Sequence, residues 1–268
     1  MGFTFRTLFR SGDYAIADWK CEGRDDENRI EVKDELEIVF VRRGVFVVQG
    51  AGGDLPVTPN EVWLYPAGIP YRIHHPRGGD ECTVITISPA LLEEYSCRVN
   101  ARDHALASSR SFRIQYQMWS VARDGSPSPL AMDEHLRSIL EDVFGHTPVE
   151  VCTQRQRVTV LRAREILAAR FTENLPLSEI AAAAGSSPYH LCRIFRRMTG
   201  ETLHRYQTGL RLREALVRLG DGQRDLTALA LDLGFFDHSH FAGAFRRAFG
   251  RPPSRFRDAA PPDRMAQV

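Results

Sequence analysis

The sequence predicts a two-domain α+β protein: an N-terminal β-barrel with following helices, then an all-α C-terminal domain of two helix-turn-helix units joined by a linker helix. Three observations carry this. The first hundred of the 268 residues hold short runs rich in Val, Ile and Phe, punctuated by Gly and Pro, while the remainder shows apolar residues three and four apart. Charge is divided too: residues 1 to 153 carry 16 Lys+Arg against 23 Asp+Glu, whereas residues 154 to 258 carry 18 against 10. An acidic half joined to a basic half points to a polyanionic partner for the second. The boundary falls at about residues 146 to 154, giving domains of 1–150 and 151–268.

An apolar content of 43% with 26% charged residues describes a globular chain long enough for one large or two ordinary domains. No run of about 18 apolar residues is present to span a bilayer, and MGFTFRTLFRSGDYA has no continuous apolar stretch of a secretory signal. A cytoplasmic protein without a membrane partner is expected. Cys21, Cys82, Cys97, Cys152 and Cys192 are odd in number and include no C-x-x-C, which suits reduced, mostly buried thiols better than a disulfide framework or a zinc knuckle.

ELEIVFVRRGVFVVQG, residues 35 to 50, reads as strand broken at Gly44; AGGDLPVTPN supplies turns, and NEVWLYPAGIPYRIHH and ECTVITIS continue as short extended runs. Beyond Pro89 the spacing turns helical, in ALLEEYSCRV, RIQYQMWSVARD and PLAMDEHLRSILEDVF. SPSP at 126 to 129 separates the last two. Leu136, Ile139, Leu140 and Val143 form one stripe, which either offers a dimer surface or packs on its own domain. A homodimer is the expected assembly.

From Gln154 every segment reads as helix. Gly185, Gly200, Gly220, Gly234 and Gly250 stand where helices stop, and Ser178, Ser187, Thr227 and Asp237 where they start. Leu177-Ser-Glu-Ile-Ala-Ala-Ala-Ala-Gly185 aligns with Leu226-Thr-Ala-Leu-Ala-Leu-Asp-Leu-Gly234 at an offset of 49; after the turn the offset becomes 50, and Phe-Arg-Arg recurs at 195–197 and 245–247. Each copy is a short helix, a tight turn and a longer helix whose Leu191 and Phe195, or Phe241 and Phe245, fall at i, i+4.

Burying that stripe leaves the opposite face of each second helix free to enter a major groove. Tyr189, Cys192 and Arg193 are placed on the base-facing side of the first copy, and His238, Ser239, His240 and Gly243 on that of the second. Arg196, Arg197, Arg246 and Arg247 follow toward the helix ends as phosphate contacts. His238 and His240 also spell His-x-His, but alternate helical positions diverge by about 200° and do not readily share one ion. Gly243 offers the groove no side chain, so the second copy is expected to read less sequence than the first.

GFFDHSHFAGAFRRAFGRPPSRFR resembles the signature of the AraC/XylS family of bacterial transcription regulators, through Gly234-Phe235, Ser239, Phe241, Phe245-Arg246-Arg247, Gly250, Pro253 and Phe256-Arg257. The linker helix, Thr202 to Leu219, is similar in Tyr206, Arg211, Leu212 and Ala215. The resemblance spans about residues 154 to 258. It implies two helix-turn-helix units on successive major-groove segments of one face of double-stranded DNA, and activation as the commoner role.

The N-terminal half resembles a cupin-type sensor domain: Asn60-Glu-Val-Trp-Leu-Tyr-Pro66-Ala-Gly68-Ile-Pro-Tyr71 follows the second cupin motif, and Glu37 precedes Gly44 as in the first. Where a metal-binding cupin has its His-x-His pair, this chain has Glu31 and Lys33, or Ile30 and Val32, and Tyr71 stands at the third His. Only Glu37 matches a ligand position, so no metal and no cofactor are expected there. His74 and His75 just beyond the motif leave open a displaced metal site. No nucleophile–base pair, phosphate loop or paired catalytic carboxylates are present, and Arg24 to Glu27 and Glu93-Glu94 read as solvated charge.

The sequence therefore predicts a non-enzymatic, sequence-specific DNA-binding transcription regulator responding to a small-molecule effector. Trp19, Trp63, Tyr65, Tyr71 and Arg72 are the candidate effector contacts, with core packing the competing role. The alternatives are a metal-dependent cupin oxygenase or isomerase with an appended helical domain, and a barrel that serves only as a dimerisation scaffold.

Overall fold

The computed structural model describes residues 2–23, 30–50, 53–75, 78–95, 104–125, 127–145 and 153–259. The chain divides into two compact units, residues 1–149 and 150–268. Among the described residues no helix is long and apolar enough to cross a membrane.

The first unit runs β1 (Phe3–Arg10), β2 (Tyr14–Cys21), β3 (Ile30–Glu31), β4 (Leu36–Arg43), β5 (Phe46–Gly50), β6 (Gly53–Val57), β7 (Glu61–Tyr65), β8 (Tyr71–His74), β9 (Asp80–Ile87), α1 (Pro89–Glu93), β10 (His104–Leu106), α2 (Ser109–Arg123) and α3 (Pro129–Phe144). All pairings are antiparallel. They build a six-stranded sheet in the order β1-β2-β9-β4-β7-β10 and a four-stranded sheet in the order β3-β8-β5-β6. The expected closed barrel is thus two sheets with no hydrogen-bonded seam between them among the described strands. Of the expected helix over residues 90–99, the described part is helical to Glu93, and residues 96–99, with Cys97, lie outside the described residues.

Strand alternation assigns the two faces of the larger sheet. Ile38 and Phe40 of β4, Val62 and Leu64 of β7, and Ile85 and Ile87 of β9 pack with Ile114 and Met118 of α2 and with the Leu136, Ile139, Leu140 and Val143 stripe of α3. Each such side chain contributes about 1.5 to 3 kcal/mol by leaving water. The α3 stripe is therefore spent on its own unit. Arg42, at a β-bulge of β4, is 2% exposed; it donates to the Cys82 carbonyl (2.7 Å) and Thr83 Oγ1 (2.8 Å), pairs with Asp18, and lies 4.1 Å from the centre of the Trp119 ring. It ties the sheet to α2.

The opposite face of the larger sheet carries Trp19, Glu37, Val39, Tyr65, Asp80, Cys82 and Val84. It meets Glu31, Phe46, Tyr71 and Ile73 of the smaller sheet across a cavity of about 110 Å³.

The second unit is wholly helical where described: α4 (Gln154–Ala169), α5 (Leu177–Ala183), α6 (Pro188–Thr199), α7 (Leu203–Gly220), α8 (Leu226–Asp232), α9 (His238–Phe249) and α10 (Pro253–Ala259). Ser187 and Asp237 cap α6 and α9 as the sequence predicts, accepting from the His190 N–H (3.3 Å) and the His240 N–H (2.7 Å). Ser178 and Thr227 are not caps. Helix α5 starts after Pro176, whose ring presets the entering backbone, and α8 starts after Asp225, whose carboxylate already accepts from the Thr227 and Ala228 N–H groups. Gly220 ends α7, but the left-handed residue that reverses the chain is Gly222 (φ +98°).

Candidate nucleic-acid interface

The sequence repeat is a repeat of hydrogen bonds. After α5 the Gly185 N–H donates to Ala182 O and the Ser186 N–H to Ala181 O; after α8 the Gly234 N–H donates to Leu231 O and the Phe235 N–H to Ala230 O. Both glycines are left-handed, at φ +68° and +78°. Helices α6 and α9 then end alike, with left-handed Gly200 and Gly250 donating to Arg196 O and Arg246 O, each at 2.8 Å. The two copies therefore share turn and stop.

Each copy buries one face of its longer helix. In α6, Leu191, Ile194 and Phe195 are buried, and Phe195 meets Tyr206 of α7 edge-to-face at 5.4 Å. In α9, Phe241, Ala244, Phe245 and Phe249 are buried in an aromatic chain: Phe235 to Phe241 at 5.2 Å, Phe241 to Phe245 at 5.7 Å and Phe245 to Phe256 at 5.4 Å. Aromatic pairs of this kind add about 0.5 to 1.5 kcal/mol beyond their buried area.

The remaining face is solvent-accessible. On α6, Tyr189, Cys192, Arg193 and Arg196 are all exposed, spaced i, i+3, i+4, i+7 on one side, and Tyr189 is 82% exposed. On α9, Ser239, His240, Arg246 and Arg247 are exposed, while His238 and Gly243 are half-buried. The His240 ring is edge-on to Phe235 at 5.6 Å, which restrains it at the start of α9. Arg193 Nη2 lies 3.4 Å from His190 Nδ1, one turn earlier on α6.

Arg197 differs from its counterpart Arg247. It is half-buried, and its Nη2 donates to Gln156 Oε1 of α4 at 2.6 Å, so this guanidinium is engaged within the unit. Sequence reasoning also passed over Phe236, which is 87% exposed beside Asp237 at the entrance to α9. Its signal was a second Phe directly after Phe235 where packing uses only one. The side chain of Arg257 lies outside the described residues.

Arg211 of α7 organises the second copy from within. At 7% exposure it donates through Nε to Phe171 O (2.6 Å), through Nη1 to Gly234 O (2.7 Å) and through Nη2 to Glu173 O (2.8 Å). Burial lowers its pKa. Gln207, one turn earlier, donates to Phe171 O and Glu173 O. The linker helix thus fixes both the segment after α4 and the turn before α9.

In the first unit, Trp19, Tyr65 and Tyr71 line the cavity, as the sequence allows; Trp63 and Arg72 do not. Trp63 is on the cavity side of β7 but buried beyond Tyr65, at 5.7 Å edge-to-face. Arg72 follows Tyr71 on β8, so alternation turns it outward, and it is exposed. Tyr65 and Tyr71 stack at 4.0 Å and Phe3 and Trp19 at 4.9 Å, giving the cavity aromatic walls.

The positions that hold metal in a metal-binding cupin instead hold an internal ion cluster. Lys33 Nζ lies 3.3 Å from both Glu31 Oε2 and Glu37 Oε2, and the Tyr71 hydroxyl donates to Glu31 Oε2 at 3.3 Å. A fixed ammonium between the two carboxylates does not fit a metal there, since it already neutralises them and would repel a second cation. Burial pushes the Glu37 carboxyl up against the opposing pull of Lys33, and burial raises the Tyr65 hydroxyl as well.

Two family models match the chain. One described as a helix-turn-helix domain covers residues 180–259, and one described as an AraC-like ligand binding domain covers residues 23–140. Regulatory protein SoxS of Salmonella typhimurium is 37% identical over 83 residues, which is 31% of this chain and 78% of the relative. The Msm operon regulatory protein of Streptococcus mutans is 23% identical over 158 residues, covering 56% of this chain and 57% of the relative. Among solved structures, ToxT from Vibrio cholerae aligns over 94% of this chain and 100% of its own at 11% identity, with a TM-score of 0.39.

Proposed function

The chain belongs to the AraC/XylS family of DNA-binding transcription regulators, and from that premise we propose that it is a ligand-responsive activator whose α6 and α9 read successive major-groove segments of one promoter face. The observation that carries this reading is the recurrence of one arrangement in the basic half: the same turn hydrogen bonds, a buried apolar stripe on each longer helix with Phe195 and Phe245 at matching positions, and an outward Arg-bearing face on each.

Tyr189, Cys192 and Arg193 of α6, with Ser239 and His240 of α9, are the base-facing groups in this reading, and half-buried His238 serves at the rim of the contact. Arg196, Arg246 and Arg247 suit phosphate, where a planar guanidinium can bond two oxygens at once. Arg197 contributes charge near the backbone while bound to Gln156. Exposed Phe236 adds an apolar contact at the entrance to α9. The first unit would hold the effector in the aromatic cavity, among Trp19, Tyr65 and Tyr71, and the regulator would act in the cytoplasm. An effector changes promoter output only by favouring one DNA-binding arrangement over another. No surface among the described residues is assigned to the homodimer, because the α3 stripe is buried in its own core.

Genomic fragments selected with the purified protein supply the operator for the test. Arg193→Ala is expected to weaken binding by about 1 to 3 kcal/mol on the selected site and far less on unrelated DNA. Arg247→Ala is expected to weaken both about equally and to reduce the slope of log K against log salt by about one. Equal loss on all sequences from Arg193→Ala would remove it from base readout.

A further inference from the structure

We propose that the first unit contains a zinc site formed by Cys21, His75 and Asp80 at the edge of the effector cavity, separate from the Lys33 cluster. The three donor atoms lie within 4.8 Å of one another. Cys21 and Asp80 face each other directly across the β2–β9 pairing, and His75 comes from the residue after β8, so the site joins the larger sheet to the smaller.

The local backbone is built to close on these residues. A Cβ on Gly79 would sit 1.8 Å from Cys21 O, and one on Gly23 would sit 2.4 Å from Gly78 C, so only glycine lets the two chain segments approach this far. Gly23 is left-handed (φ +72°), and its N–H donates to Cys21 Sγ at 3.3 Å. A backbone N–H aimed at sulfur stabilises a thiolate, the form that ligates metal.

His75 lies between the other two groups: its Nδ1 is 3.8 Å from Cys21 Sγ and its Nε2 is 2.6 Å from Asp80 Oδ1, with the His75 and Asp80 side chains 8% and 1% exposed. That carboxylate oxygen pairs with the imidazole. Asp80 Oδ2 is occupied separately, accepting from the Cys82 thiol at 2.9 Å, which orients the carboxylate with Oδ1 toward the other donors. A ring nitrogen, a thiolate and one carboxylate oxygen are a zinc set; calcium and magnesium require oxygen ligands throughout. His75 and Asp80 line the cavity, so the fourth coordination position opens toward a molecule held there.

The test uses the full-length protein after chelation, titrated with zinc against a chromogenic chelator and, separately, with cobalt(II) as a spectroscopic substitute. The expected result is one zinc per chain and a cobalt spectrum with thiolate charge-transfer absorption. Cys21→Ser and His75→Ala each lower zinc affinity at least about tenfold, while Glu37→Gln leaves it unchanged. Zinc also raises the melting temperature of the wild type more than that of Cys21→Ser. Absence of stoichiometric zinc, a cobalt spectrum without a thiolate band, or binding indifferent to both substitutions overturns the proposal. The cobalt spectrum of the wild type decides the matter even where a variant does not fold.

Discussion

At Gly234 two demands meet. Its φ of +78° favours glycine, and a Cβ there would lie 2.1 Å from Thr172 O and 2.9 Å from Arg211 Nη2. Gly185, its counterpart in the first copy, has φ +68° but nothing within 4 Å of an added Cβ. Gly185→Ala is therefore expected to cost about 1 to 2 kcal/mol from backbone strain alone. Gly234→Ala is expected to cost clearly more, because the turn must also move off the Thr172 carbonyl; urea unfolding followed by the helical signal distinguishes them. The sequence marks both glycines as equivalent helix stops, since the offset of 49 equates them. The close approach to Thr172 and the Arg211 bonds join residues distant in the chain, and periodicity carries no information about such contacts. The same limit hid Arg42, whose partners Asp18, Thr83 and Trp119 come from three other elements.

Among the elements, the helices of the second unit were legible because one side of each is buried and the boundaries carry cap chemistry. Ser187 and Asp237 announce α6 and α9, and their replacement by Ala is expected to cost about 1 kcal/mol each. Hydrogen exchange is expected to rise first at the His190 and His240 amides, which those side chains bind. Exchange unchanged at both amides would show that the caps do not hold the helix starts. Ser178 and Thr227 misled because a residue type favoured at caps is also tolerated one step inside a helix, where Pro176 and Asp225 had already set the start. Strand β1, at the sheet edge, gives a weak signal because Arg and Thr intervene between its apolar residues and a β-bulge between Thr7 and Phe9 breaks the alternation of Phe3 and Phe5. In the cavity, alternation correctly separates Tyr71 from Arg72 only once the pairing of β8 is known. The run from Trp63 to Tyr71 gives no face by itself.

For the whole molecule, the division of charge and the division of structure agree in kind: two compact units, an acidic one with a cavity between sheets and a basic one of repeated helices. Every cation of residues 154 to 258 other than histidine is arginine, the side chain best matched to phosphate geometry. The closed barrel expected from short punctuated strands is instead two sheets, because composition specifies strands but not which edges pair. The proposed function requires that α6 and α9 both enter the major groove of a single DNA site. Hydroxyl-radical footprinting and guanine-methylation interference on a selected genomic fragment address it directly. The expected pattern is two groove segments per protomer on one face of the duplex, about 34 to 36 Å apart. Arg193→Ala is expected to weaken contact at one segment, and the pair Ser239→Ala with His240→Ala at the other. A single contacted segment per protomer, or two that respond together to either substitution, would contradict it.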